Sequence, residues 1–94
     1  ERGVKALVDV LCHCPVLTFL NLRGNRIAVG GVKLLEAALI DNTVLSSLDL
    51  YDNPVEEEGK KEIGRLLERN QALQDAKKAA QALIDKLKDK KDIN

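Results

Sequence analysis

The stretch "CHCP" brings Cys12, His13 and Cys14 together, the side chains best suited here to metal ligation or nucleophilic attack. A closed metal site takes about four ligands, and no second Cys/His cluster completes this set. His13 is the sole histidine, and nothing ties it to a nucleophile and an orienting acid. Residues two apart seldom reach disulfide geometry, so both thiols are read as reduced and structural, as in an intracellular protein. A second run, "EEEGKKE", spans Glu56 to Glu62. A divalent cation wants oxygens converging from several directions. Carboxylates in file at the start of a helix instead complement its positive end. The glycines match neither "GxGxxG" nor a P-loop; "RGN" and "VGG" read as turns, with glycines spaced to stop helices and strands. The chain is therefore expected to have no catalytic residues, no metal and no cofactor, and not to be an enzyme.

A binding surface is the remaining chemistry, and it depends on the elements that would carry it. The chain has 94 residues, room for one small domain, with 15 basic and 15 acidic side chains. A dedicated nucleic-acid binder usually shows a basic excess, so none is expected here. No apolar run approaches the roughly 18–20 residues that span a bilayer, and no secretory signal opens the chain. Methionine is absent, including at position 1.

Shifted by 28 positions, the chain aligns on itself without a gap. Gly3, Gly31 and Gly59 coincide, as do Leu7, Leu35 and Ile63, then Leu11, Leu39 and Leu67, then Leu17, Leu45 and Leu73. Leu20 meets Leu48, Leu22 meets Leu50, Asn25 meets Asn53, and Ile27 meets Val55. Within each unit "LTFLNL" alternates as a strand must, while Leu34, Leu35, Ala38 and Leu39 make a helical stripe. The patterns predict helices over 3–12, 31–41 and 57–69 and strands over 18–22 and 46–50. A further helix is predicted over about 75–91. Asn42 and Asn70 stand where a left-handed helix C-terminal residue is tolerated, and Cys14 holds the same slot in the first unit.

"LTFLNLRGNRI…GGVKLLEAALIDN" and its copy "LSSLDLYDNPV…EGKKEIGRLLERN" resemble the ribonuclease-inhibitor type of leucine-rich repeat. The resemblance covers residues 1–73, two units and the helical half of one before them. It implies an α/β solenoid: a strand plus an α-helix per 28-residue unit, with a parallel sheet on the concave face. Residues 74–94 depart from the pattern and are expected to form a C-terminal cap helix and tail. Two organisations are open for the tail, whose Leu73, Ala76, Ala80, Leu83 and Leu87 step by three and four. Either it folds back over the last repeat, the preferred reading, or it starts a coiled coil with another chain. Because the first unit lacks its strand, the chain reads as the end of a longer array or part of a larger complex.

In such units Leu20, Leu22, Leu48 and Leu50 face the core, and the residues between them face out. Phe19, Asn21 and Arg23 form the outward set of the first unit, and Ser47, Asp49 and Tyr51 that of the second. The one phenylalanine and the one tyrosine both fall on this row. These six residues are the expected partner-binding surface, with Arg23 stacking on Tyr51. Asn25 and Asn53 are expected to be structural, their buried amides satisfying turn backbone.

The expected function is a non-enzymatic module presenting a concave strand surface to a protein partner, with neither nucleic acid nor membrane involved. The alternatives are a structural part of a large cytoskeletal or ciliary (axonemal) assembly, or the repeat region of an enzyme regulator. The resemblance covers such regulators: a GTPase activator, an inhibitor and an immune sensor. The expected location is cytoplasmic, with the cytoskeletal or ciliary one as the alternative.

Overall fold

A computed structural model describes residues 2–14 and 16–93. The elements run α1 (Arg2–His13), β1 (Phe19–Asn21), α2 (Val29–Asp41), β2 (Ser47–Asp49) and α3 (Glu57–Ile93). The alternation of helix and strand follows the two periodicities of the sequence. The expected outer bounds, Glu1 and Asn94, lie outside the described residues.

The two strands pair in parallel, with Phe19 opposite Ser47, Leu20 opposite Leu48 and Asn21 opposite Asp49. Each pair is one 28-residue step apart, so the repeat and the strand register are the same fact. Backbone bonds from Leu22 to Asp49 (2.8 Å) and from Gly24 to Tyr51 (3.0 Å) prolong the ladder past the strands. Parallel strands need a crossover, and α2 supplies it. α2 packs between α1 and α3.

The core shows how stacking works. Leu35, Leu39 and Leu45, all from the middle unit, are fully buried. Of their six equivalents, Leu11 and Ile63 are also buried, Leu7, Leu17 and Leu67 are half-buried, and Leu73 is exposed. The middle unit, covered on both sides, is sealed in all three slots, while each outer unit leaves at least one of them open. Leu22 is buried, while Leu20, Leu48 and Leu50 are half-buried against the core. The inward row is therefore as expected.

Three features correct the sequence reading. First, α3 runs unbroken for 37 residues, with no stop near Asn70. After Asn42 the chain reads "TVLSSL", β-branched and serine-rich. After Asn70 it reads "QALQDAKKAAQAL", nearly all strong helix formers, and the helix continues. No fold-back cap forms: described side chains from Asp75 to Asp89 are exposed. Second, Asn42 closes α2 in an extended conformation (φ −93°, ψ 115°), not a left-handed one. Third, Gly59 serves close packing rather than a stop. A Cβ on Gly59 would come within 2.8 Å of Val32 Cγ1, so α3 approaches α2 closely there. Gly24, in contrast, occupies a true turn at φ +68°. Its equivalent Asp52 takes the same left-handed conformation (φ 60°), one that aspartate tolerates better than most residues.

Candidate protein-binding surface

Strand alternation puts Phe19, Asn21, Ser47 and Asp49 on one face, and the turns beyond add Arg23 and Tyr51. Phe19 is 53% exposed and Tyr51 72% exposed. A large aromatic left in solvent forgoes the burial that usually holds it, about 1.5–3 kcal/mol for a phenylalanine. The two stand on the same short face, at opposite ends of the row and among polar groups.

The polar groups are held in place. Asn21 Oδ1 accepts from the Arg23 amide (3.0 Å), and Asp49 Oδ1 accepts from the Tyr51 amide (2.9 Å). These paired turns start each unit's exit from the sheet. Arg23 then lies over the Tyr51 ring, 4.9 Å from its centroid. Its Nε sits 3.6 Å from Asp49 Oδ2. Both contacts are surface contacts, each worth up to about 1 kcal/mol. Their main effect is to fix the guanidinium across the aromatic face. All six expected residues thus share one surface. Asn21 and Asp49 also have structural duties there, which the sequence reading had not assigned.

Beneath the row, Asn53 ties the two units together. Its Nδ2 donates to Leu22, Leu50 and Tyr51 carbonyls at 2.8, 2.9 and 3.1 Å. Its Oδ1 accepts from the Asn25 and Ile27 amides, both at 2.9 Å. Asn25 repeats only the local half, donating to the Leu22 and Arg23 carbonyls at 2.9 and 3.1 Å. These bonds run to turn backbone. Their burial is less than expected: Asn53 is half-buried and Asn25 exposed, since no unit covers the Asn25 side of β1 among the described residues.

A second polar cluster went unread in the sequence. Arg69 Nη2 donates to the carbonyls of Leu39 (2.6 Å) and Asn42 (3.1 Å), and Nη1 to that of Ile40 (3.3 Å). These are end-of-helix carbonyls with no partner inside α2. Asn70, fully buried, donates to Asn42 and Leu45 carbonyls (2.8 and 2.6 Å) and accepts from Arg69. α3 therefore caps α2. The available signal was that the last turn of α2 lacks any basic residue of its own.

Among the described residues the thiols gather no set of metal ligands. Cys12 is exposed, Cys14 is half-buried and both are free; His13 Nδ1 lies 2.7 Å from the Asp9 carbonyl, one turn back. Glu57 and Glu58 lie in the first turn of α3 and Glu56 just before it, consistent with the dipole reading. Among the described residues no helix is long and apolar enough to cross a membrane.

The family model described as Leucine Rich repeat matches residues 13–35, which hold the end of α1, β1 and the start of α2. With the 28-residue self-alignment and the small parallel sheet, this match supports a leucine-rich repeat protein. Leucine-rich repeats are a common protein–protein interaction motif, and a protein partner is the general expectation they carry. No curated protein matches the chain significantly.

Proposed function

We propose that the chain is a non-enzymatic interaction module, the repeats of a ribonuclease-inhibitor-type solenoid, binding a protein partner through the outward row. One observation carries this reading: Phe19 and Tyr51 stand in solvent on one face, with Arg23 stacked on the Tyr51 ring and paired with Asp49. Aromatic and arginine anchors held in place before binding lose little ordering entropy when a partner docks. The unit length of 28 and the full α-helix in the crossover between β1 and β2 support the ribonuclease-inhibitor subclass. The free thiols suit the reducing cytoplasm.

The test replaces Phe19, Arg23 and Tyr51 by alanine together and compares quantitative pull-downs with the parent chain. The expected result is loss of partner recovery with a thermal midpoint shifted by only a few degrees. Undiminished affinity for every partner recovered would remove the row from the interface.

A further inference from the structure

Beyond residue 74, α3 leaves the packed units and carries a second surface of its own. Leu73, Leu83, Ile84 and Leu87 are 38%, 60%, 45% and 57% exposed. With the exposed alanines Ala76 and Ala80, they recur every three or four residues and so share one side of the helix. Ala80 is the middle of this stripe. Leu73 stands seven residues before it and Leu87 seven after; between them Ala76 lies on one side, Leu83 and Ile84 on the other. The borders carry both signs of charge. By helical spacing Asp75 and Lys86 share one border line, five residues before Ala80 and six after it. Lys77 and Lys88 share the other border, and Lys78, Asp85 and Asp89 lie at the back.

We propose that this stripe pairs with the same stripe of a second copy of the chain, antiparallel and centred on Ala80. Turned end for end about Ala80, Leu73 meets Leu87 of the second copy, Ala76 meets its Leu83 and Ile84, and Ala80 meets Ala80. Small side chains then face large ones in the flanking layers, and the central alanines let the two backbones approach. Parallel pairing would instead set Ala76 on Ala76 and Ala80 on Ala80, two thin layers in succession. Charge favours the same arrangement. Asp75 comes within one residue, about 1.5 Å along the axis, of Lys86 of the second copy, and symmetry makes the pair twice. On the other border Lys77 and Lys88 of the second copy are five residues out of step, about 7.5 Å along the axis, where salt largely screens them. Parallel pairing would put Lys86 only two residues out of step with Lys88 of the second copy. Because the first turns of α3 are already held against α2, pairing bears no helix-nucleation cost. The surface is separate from the Phe19–Tyr51 row, so either can fail without the other.

A seam this short and alanine-rich should give a dissociation constant on the order of 100 µM, so the monomer prevails on dilution. Sedimentation equilibrium of the whole chain from about 10 µM to about 1 mM should show a monomer–dimer equilibrium. The register is read by cross-linking with a short bis-maleimide in a Cys12→Ser, Cys14→Ser background. Ala80→Cys, at the two-fold axis, should link to its own copy far faster than Leu87→Cys does. Leu87→Cys should link instead to Leu73→Cys when the two variants are mixed. Lys86→Asp should weaken the dimer about tenfold, and adding Asp75→Lys should restore it, which loss of helix would not allow. A chain monomeric up to about 1 mM, equal self-linking at positions 80 and 87, or a double variant no tighter than Lys86→Asp alone overturns the proposal. So does a stripe that binds phosphatidylserine vesicles or another protein's helix while no dimer forms.

Discussion

Asn53 shows how much one amide can organise, because its five hydrogen bonds join backbone on both sides of a unit boundary. Asn53→Ala strands these groups where water only partly reaches them, an expected loss of about 2–4 kcal/mol in urea unfolding. Asn25→Ala removes two bonds in an exposed setting, and about 1 kcal/mol or less is expected. Equal costs for the two would show that the bridge between units contributes nothing. These asparagines were visible in the sequence because they recur 28 apart with the leucines. Arg69 was not visible, and Asn70, which recurs 28 on from Asn42, reads as a helix end rather than as a buried donor. Their partners lie 25 to 30 residues back in a helix end, a pairing that no local spacing encodes. Asp52 was equally hidden, since a left-handed turn shows in a sequence when glycine fills it and passes unnoticed when aspartate does.

At the scale of elements, the glycines of α3 separate packing from propensity. Gly59 faces α2 with no room for a methyl group, whereas a Cβ on Gly64 would meet nothing within 4 Å. Gly59→Ala should therefore destabilise by about 1–3 kcal/mol, and pairing it with Val32→Ala should recover part of that. Gly64→Ala should stabilise by about 0.5–1 kcal/mol through helix propensity alone. Thermal unfolding of the variants decides it, and a stabilised Gly59→Ala would contradict the close approach. The helix starts were legible because burial dictates each apolar slot. The course of α3 beyond Asn70 was hidden because repeat logic and local propensity disagree there. The repeat calls for a turn and a strand, the residues favour helix, and no core waits beyond Leu73 to overrule them.

For the whole molecule, the outcome is an elongated body of 60 × 25 × 19 Å with a radius of gyration of 17.1 Å. A compact chain of this length would have a radius near 12 Å. Small-angle scattering should return the larger value. Truncation after Asp75 should bring it down while leaving the thermal midpoint almost unchanged, since the side chains from Ala76 to Asp89 are exposed. A midpoint falling by tens of degrees would mean that the tail covers the repeats after all. The exposed part of α3 advances about 1.5 Å per residue, so its stripe lies at a set reach and azimuth from the strand face. Seven added residues would carry it outward by about 10 Å on nearly the same bearing, while two would barely lengthen it yet swing it by roughly 200°. Any assembly gripping both ends at once would thus be gauged by helix phase as much as by affinity.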